Sequence, residues 1–211
     1  MENMNNKVYI TGEIVSDFQY SHQIYGEKFY LFNISSVRTS GYADVIPVLI
    51  SERLIDVKQS YIGQYISVTG QYRSYNRREE KVSRLILSVF VQECEFLDAV
   101  VTGECCNQIE LVGYICKETN YRKTPLGREV ADVLIAVNRQ YGRSDYIPCI
   151  CWGRSARYAG ELEVGSKIKI TGRIQSREYI KKIGDDKNEK RVAYEVSACR
   201  IDLMEEEENA D

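Results

Sequence analysis

The stretch Lys7–Ile14, which reads KVYITGEI, decides the fold because a related stretch occurs a second time in the chain. It aligns with Gln108–Ile115, which reads QIELVGYI, at an offset of 101 residues. Both stretches place an aliphatic residue at every second position and then a glycine, a spacing typical of a β-strand with one buried face. The chain is therefore expected to contain two copies of one β-rich domain.

The rest of the sequence supports the duplication. Further matches follow in the same order: Arg38 with Arg139, Asp44 with Asp145, Ile66–Gly70 with Ile168–Gly172, and Cys94 with Cys199. An offset that drifts slowly in a consistent order indicates a duplicated domain with small loop insertions. We predict an N-terminal domain at residues 1–98, a C-terminal domain at 107–204 and an acidic tail at 205–211.

Each copy predicts five strands with one short helix between the third and fourth. The alternation of apolar and polar residues is the main signal for the strands. They are predicted near residues 7–16, 28–38, 43–50, 64–75 and 84–97, and again near 108–117, 128–139, 144–152, 167–179 and 191–203. The helices are predicted near 52–59 and 154–162. This layout predicts an all-β protein of two tandem OB-folds, each a five-stranded Greek-key barrel.

Charge is distributed unevenly along the chain. The net charge of −3 divides into −3 over residues 1–106, +5 over 107–204 and −5 over 205–211. A basic second copy suggests a polyanionic partner for that copy. The sequence has no apolar run of the roughly 18–20 residues that a membrane span needs, and its start does not resemble a signal peptide. We expect a cytoplasmic, nucleoid-associated protein with no membrane partner.

The sequence offers little for catalysis or metal binding. It has one histidine, and its seven cysteines form no C-x-x-C pair, the spacing common at zinc sites. No serine motif or glycine-rich phosphate loop is present. We therefore expect no enzymatic activity, no metal and no other cofactor.

The third strand of the second copy presents two large rings on one face. Successive side chains of a strand point to opposite faces, so Tyr146 and Trp152 share one face of residues 145–153. Cys149 and Cys151 share the other face, which is small and apolar enough for a barrel core. Flat rings on an open face suit the stacking of unpaired bases.

Cations and further rings accompany this strand. Tyr141 lies in the connection between the second and third strands, and Tyr179 lies late in the fourth strand. Phosphates along a nucleic-acid strand require neighbouring cations. The candidate phosphate-binding residues are Arg139, Arg143, Arg173, Arg177, Lys181 and Lys182.

The second copy resembles the bacterial single-stranded-DNA-binding proteins over nearly its whole length. The matching stretches are Asn107–Gly113, Thr124–Ala131, Ile135–Arg139, Trp152–Gly153 and Gly165–Arg173. The resemblance implies base stacking at four aromatic positions, which here are Tyr141, Tyr146, Trp152 and Tyr179. It also implies non-catalytic, largely sequence-independent binding of single-stranded DNA in replication, recombination and repair.

The resemblance carries two further expectations. Family members assemble four barrels, which a tandem chain reaches as a homodimer. Family members also usually end in a long linker and an acidic tip closing in Pro-Phe, which recruits replication and repair proteins. The sequence ends in the acidic stretch Met204–Asp211 without either feature, so recruitment by that route is not expected.

The first copy lacks most of the corresponding rings. Val45 and Ser51 occupy the positions of Tyr146 and Trp152, and Arg77 that of Tyr179. Weaker candidates for contact with nucleic acid are Tyr42, Tyr75, Arg38, Arg122 and Lys123.

Two other hypotheses stay open from the sequence alone. The barrels could form a protein-interaction adaptor of a primosome or phage recombination complex with weak or no DNA binding. They could also bind RNA, because stacking does not distinguish the two sugars.

Overall fold

The computed structural model describes residues 5–79, 82–101, 103–183 and 187–204, without the side chains of residues 78, 79, 82, 83, 104, 182, 183 and 187. The acidic tail at 205–211 lies outside the described residues. The first six strands are β1 (Asn6–Ile14), β2 (Gln19–Ile24), β3 (Glu27–Val37), β4 (Ala43–Ser51), β5 (Tyr65–Glu79) and β6 (Val82–Leu97). The next six are β7 (Asn107–Ile115), β8 (Asn120–Lys123), β9 (Glu129–Asn138), β10 (Ser144–Trp152), β11 (Lys167–Ile183) and β12 (Lys187–Leu203). One α-helix, α1 (Arg154–Glu161), connects β10 to β11.

Each half of the chain closes into a five-stranded barrel. In the N-terminal barrel β1 pairs with both β3 and β5, and the circuit continues through β4 and β6. The C-terminal barrel repeats this with β7, β9, β10, β12 and β11. Only the pairs β4–β6 and β10–β12 are parallel among the described pairings. The prediction of two tandem OB-folds is confirmed.

A glycine in the fourth barrel strand allows the sheet to bend. Pairing of β11 with β12 shifts register between Thr171 and Gly172 and skips Cys199, which is the pattern of a β-bulge. A Cβ atom on Gly172 would overlap the carbonyl oxygen of Ser197. The glycine that repeats in the sequence is therefore required by the close approach of two backbones.

Two expectations about secondary structure were wrong. Residues 52–59 form turns instead of a helix, because Ser51 and Asp56 accept hydrogen bonds from the nearby amides of Arg53 and Lys58, and such side chains compete with helical bonding. The strands β2 and β8 were missed because their residues are mostly exposed and show no apolar period. The helix at 154–162 is confirmed as α1, which buries Ala156 and Ala159 against the C-terminal barrel.

The two barrels join through an antiparallel seam between β1 and β7. Val8 lies opposite Ile109, its counterpart in the repeat, so a pseudo-twofold axis passes through this residue pair. Asn6 and its counterpart Asn107 each form two hydrogen bonds with the backbone of one residue. The Asn6 side chain donates to the Tyr72 carbonyl and accepts from the Tyr72 N–H, both at 2.8 Å. Asn107 does the same to Ile174 at 2.7 and 2.9 Å.

Two buried ion pairs extend the seam, and each joins one barrel to the other. Asp145 accepts hydrogen bonds from the Arg139 guanidinium and, at 2.5 Å, from the backbone N–H of Ser74 in the other barrel. By the pseudo-symmetry, Asp44 accepts from Arg38 at 2.6 Å and from the Ser176 N–H at 2.8 Å. We call these two groups the seam latches.

The apolar core runs through both barrels. Side chains that face inward from either barrel belong to one cluster of buried residues, and Tyr72 lies completely buried within it. No helix within the described part of the chain is long and apolar enough to cross a membrane.

Candidate nucleic-acid interface

The strand β10 separates core residues from outward rings as the sequence predicts. Ile147, Cys149 and Cys151 point inward and are buried. Tyr146 and Trp152 point outward, with 45% and 42% of their surfaces exposed. The two rings are six residues apart, roughly 20 Å along an extended strand, so they would contact different bases.

The inward cysteines belong to the packed core. Burial raises the pKa of the Cys151 thiol to about 12 and raises that of Cys149 well above its ordinary range. Both groups are therefore protonated at neutral pH and lack the thiolate form that binds metals.

Trp152 ends β10 beside the smaller side chain of Val130. The register of the sheet places Val130 of β9 opposite Trp152 and places Arg122 of β8 opposite Val130. Gly153 follows with a positive φ of 57°, which favours glycine, and ends the strand. Arg122 thus belongs to the same surface as the indole, although it forms an ion pair with Asp132. Lys123, the adjacent weaker candidate, is exposed opposite Glu129.

In the N-terminal barrel the corresponding cross-strand pair has its large and small residues on the opposite strands. Ser51 occupies the position of Trp152, and Phe29 lies opposite Ser51 where the other barrel has Val130. The ring of Phe29 is covered, since His22 stacks on it at 5.1 Å and Phe90 lies 5.7 Å away between centroids. Sequence comparison of the two copies shows that Ser51 stands where the second copy has Trp152. Only the cross-strand register shows that the large residue of the pair is then Phe29.

The β11–β12 hairpin carries a ring between cations. Tyr179 is exposed and lies opposite Arg191 of β12. The Arg177 guanidinium carbon is 5.9 Å from the centroid of the Tyr179 ring. Arg177 also lies 3.7 Å from a carboxylate oxygen of Glu195, a weak contact that leaves its guanidinium available to a phosphate.

The remaining basic candidates differ in how far they are exposed. Lys181 lies exposed near the end of β11, whereas the side chain of Lys182 lies outside the described residues. Arg173 is half-buried, and its Nε has no hydrogen-bond partner within the described part of the chain. It lines a groove at the seam together with Lys7 and Arg38.

Tyr141 and Arg143 lie in the turn between β9 and β10. Tyr141 is 97% exposed and adopts a left-handed conformation with φ of 63°. The turn is closed by a hydrogen bond of 2.7 Å from the Arg139 N–H to the Arg143 carbonyl. This turn lines a groove that it shares with Arg73 of the N-terminal barrel.

Arg139 and Arg38, both candidates for phosphate contact, are engaged in ion pairs within the seam. Their guanidinium groups are held by Asp145 and Asp44 in the seam latches, so a phosphate would have to compete with a buried carboxylate. The hydrogen bond to Asp44 raises the pKa of Arg38 above its ordinary value, and this effect is larger than that of burial, which lowers the pKa. Arg38 also lies 4.6 Å from the centroid of the exposed Tyr42 ring.

Tyr75 lies beside a residue of β5 that contacts the C-terminal barrel. It is exposed on β5 next to Ser74. The hydroxyl of Ser74 accepts a 2.8 Å hydrogen bond from the Tyr146 N–H. The N-terminal barrel therefore borders the face of β10.

Comparison with known proteins agrees with this geometry. Residues 106–204 match the single-strand binding protein family. The chain is 34% identical over 113 residues to single-stranded DNA-binding protein 2 of Listeria innocua, across 50% of this chain and 68% of the relative. It is 36% identical over 80 residues to single-stranded DNA-binding protein B of Bacillus subtilis, across 35% of this chain and 71% of the relative.

A solved structure extends the likeness in fold to both barrels. The wild-type single-stranded DNA binding protein of Thermus aquaticus superposes with a TM-score of 0.73 and 21% identity, covering 95% of this chain and 93% of the other. The matched segments of the curated relatives span about two thirds of their length. The chain belongs to the single-strand binding protein family.

Proposed function

We propose that this protein binds single-stranded DNA without catalysing a reaction, and that the outer face of β10 is the primary contact. The observation that carries the proposal is the pair Tyr146 and Trp152, two large rings that remain exposed on a strand whose other face is a packed core. The family relation favours this function over a protein-interaction adaptor. We place the binding in replication, recombination and repair, as the resemblance implies.

Binding combines stacking with neutralisation of phosphates. Bases stack on Tyr141, Tyr146, Trp152 and Tyr179, each contact contributing about 1–3 kcal/mol. Arg177 and Lys181 lie beside Tyr179 on the β11–β12 hairpin, where they neutralise phosphates. This mechanism distinguishes little between the four bases, because every base has a flat face on which a ring can stack.

Intrinsic fluorescence tests the proposal on the unmodified protein. Trp152 is the only tryptophan of the chain. We expect oligo-dT to quench its emission and duplex DNA of equal concentration to quench it much less. A parallel titration with oligo-U tests RNA as the preferred ligand, and tighter binding of oligo-U would replace DNA with RNA in the proposal.

Replacing the indole tests stacking directly. Trp152→Ala should weaken binding of fluorescein-labelled oligo-dT by about 1–3 kcal/mol, measured by anisotropy. Trp152→Phe should retain part of the affinity, because a smaller ring remains. The matched control is Ser51→Ala, at the equivalent position of the N-terminal barrel, which should leave affinity unchanged. Equal affinity of Trp152→Ala and wild type would remove the stacking mechanism.

Salt dependence tests the contribution of phosphate contacts. If about five phosphates are neutralised, affinity should fall roughly a hundredfold between 50 and 200 mM salt. Arg177→Gln should lower the log–log slope by about 0.7, whereas Trp152→Ala should leave the slope unchanged. A slope near zero for the wild type would contradict the electrostatic part of the mechanism.

We also infer that the chain assembles as a homodimer with four barrels. The inference rests on the resemblance of the C-terminal copy to a family that uses four barrels and on the two barrels in this chain. Light scattering after size-exclusion chromatography should give twice the chain mass of 24.3 kDa. A mass equal to one chain would overturn it.

A further inference from the structure

A cluster of three aromatic rings lies at the end of the N-terminal barrel where β1 ends, β5 begins and β6 ends. Tyr61 lies between Phe18 and Phe96, with ring centroids 6.0 and 4.9 Å away. Phe18 also packs on the buried Phe32 at 5.0 Å. Phe96, on the other side of the cluster, is exposed. The rings therefore connect the core of this barrel with its surface.

Exposed aliphatic residues adjoin the cluster. The Gly63 N–H donates to the Ile14 carbonyl at 2.9 Å, which places Ile62 and Val15 on adjoining backbone. Both side chains are exposed. The loop before β5 and the loop after β1 therefore present apolar side chains to water beside Tyr61.

Leu54 extends the same surface on the side of β6. Its side chain is exposed, and its carbonyl accepts a hydrogen bond of 3.9 Å from the Cys94 thiol. Cys94 and Phe96 share one face of β6, because side chains alternate along a strand. We call this surface the apolar patch, and it consists of Val15, Leu54, Tyr61, Ile62 and Phe96.

The equivalent positions of the C-terminal barrel carry no ring. The equivalence follows from matching turns before β5 and β11, from matching cross-strand partners and from the starts of β2 and β8. The residues in question are Thr119, Glu163 and Leu203, which stand in place of Phe18, Tyr61 and Phe96. The N-terminal barrel thus lacks the rings of the β10 face and has rings at this end that the other barrel lacks.

Acidic side chains border the apolar patch. Asp17, Asp56 and Glu95 are exposed and form no ion pair among the described residues. Asp17 accepts a 2.7 Å hydrogen bond from the Ser60 hydroxyl, which fixes it beside the loop that carries Tyr61. Lys58 offsets one of these charges. Negative charge therefore remains around the patch.

The corresponding acid of the C-terminal barrel is compensated. Asp202 occupies the position of Glu95, lies opposite Lys169 and forms an ion pair with Arg200. Glu95 instead lies opposite the neutral Ser67. An exposed apolar surface bordered by unpaired acids suits a partner with apolar and basic residues, and it does not suit a polyanion.

The C-terminal barrel also shows which kind of element packs near this end. There α1 buries Ala156 and Ala159 and leads into the turn at Glu163. The corresponding residues 52–59 of the N-terminal barrel form turns. A helix supplied by another protein would therefore pack beside a segment that is itself helical in the other copy.

We propose that the apolar patch is a docking site for a basic amphipathic helix of a partner protein. The apolar face of the helix packs on Phe96 and Ile62, and lysine or arginine residues at its margins pair with the surrounding acids. This mode of recognition places an amphipathic helix on an exposed apolar surface. It gives the N-terminal barrel a role of its own, beside the binding of DNA at the β10 face.

A designed peptide serves as the probe. It is a fluorescein-labelled helix of about 16 residues, with leucine on one face and lysine on the other, which is long enough to form a helix in water. We expect it to bind the full-length protein in anisotropy titrations, and a peptide with glutamate in place of lysine to bind much more weakly. Residues 205–211 are also acidic and attract lysine, so substitutions in the patch decide the result.

The apolar contact is tested by Ile62→Ser. We expect peptide binding to weaken by about 5- to 10-fold, because the exposed half of an isoleucine is removed from water in the complex. The matched control is Val164→Ser at the equivalent position of the C-terminal barrel, where Val164 is 58% exposed and Ile62 is 54% exposed. This control should leave peptide binding unchanged.

The ring is tested by Phe96→Ala, with Leu203→Ala as its control in the other barrel. We expect a loss of similar size for Phe96→Ala only. Circular dichroism verifies that the variants are folded. If Phe96→Ala is unfolded, Ile62→Ser decides, because it leaves the three rings in place.

The charge is tested by Glu95→Gln, with Asp202→Asn as the matched control. Peptide binding should weaken by about 2- to 5-fold for Glu95→Gln, which is the effect of one exposed ion pair. Raising the salt concentration should weaken binding to the wild type as well. Equal binding of the lysine and glutamate peptides would overturn the inference.

Oligo-dT binding and molecular mass distinguish this inference from its rivals. Ile62→Ser should change neither the affinity for oligo-dT nor the mass measured by light scattering. Weaker binding of oligo-dT would assign the patch to the DNA surface, and a halved mass would assign it to a second copy of the chain; either result overturns the inference. So do equal losses for Ile62→Ser and Val164→Ser. Trp152→Ala should weaken oligo-dT binding without affecting the peptide, so the two proposals fail independently.

Discussion

Replacing Asp145 with alanine should destabilise the protein by about 3 kcal/mol. The Asp145 side chain is 1% exposed and accepts from Arg139 and from the Ser74 N–H. Its removal leaves the Ser74 N–H without its acceptor and the Arg139 guanidinium without a carboxylate, with only the 3.1 Å hydrogen bond to the Ser74 carbonyl remaining to it. Loss of one partner of a buried ion pair costs about 3–5 kcal/mol. Arg139 keeps 27% of its side chain exposed. Water therefore solvates the guanidinium in part, and we expect a value at the lower end of this range.

Urea unfolding followed by circular dichroism measures the loss, and the thermal midpoint should fall by about 6–12 °C. Asp44→Ala should produce a similar loss, because it breaks the latch related by the pseudo-twofold axis. The matched control is Asp132→Ala, which breaks the ion pair with Arg122 in the same barrel.

The side chains of that control pair are 47% and 45% exposed, and such pairs contribute about 0–1 kcal/mol. The reasoning is refuted if Asp145→Ala lowers the free energy of unfolding no more than Asp132→Ala does.

Three further predictions concern the core and the bulge. Gly172→Ala should lower the free energy of unfolding by about 1–3 kcal/mol, since the new Cβ meets the Ser197 carbonyl; an unchanged urea midpoint would contradict the bulge argument. Maleimide should modify the exposed Cys199 of the folded protein but not Cys149 or Cys151, which mass spectrometry of digests can establish; rapid modification of either buried thiol would place it outside the core. Stability should fall as pH rises above about 9, because the Cys151 thiol has its ordinary pKa of 9.0 in the unfolded chain whereas burial raises this pKa to about 12 in the folded chain. Urea unfolding at several pH values should show a smaller fall for Cys151→Val, and an identical fall would exclude this thiol as a cause.

Features that depend on the period of one strand could be predicted from the sequence. The alternation in β10 was sufficient to assign Tyr146 and Trp152 to the outer face and the cysteines to the core. The same reasoning failed at residues 52–59, where the side chains of Ser51 and Asp56 bond local amides and favour turns.

Features that depend on contacts between distant residues could not be predicted. The seam latches join residues 71 and 132 positions apart, and nothing in the local sequence shows that Arg139 is held by a carboxylate. The groove shared by Tyr141 and Arg73 depends on how one barrel lies against the other. The pair Trp152 and Val130 in one barrel corresponds to the pair Ser51 and Phe29 in the other, and this correspondence is visible only in the register of the paired strands.

The seam between β1 and β7 joins two barrels that one chain carries, so their association does not weaken on dilution. Because both barrels belong to one chain, the sequence of each barrel can also differ from that of the other. In a dimer of identical subunits every substitution occurs at two symmetric places, whereas here a change in one barrel leaves the other as it was. That independence allows one barrel to keep an open indole while the other has closed the same place with a covered phenylalanine, within a single polypeptide.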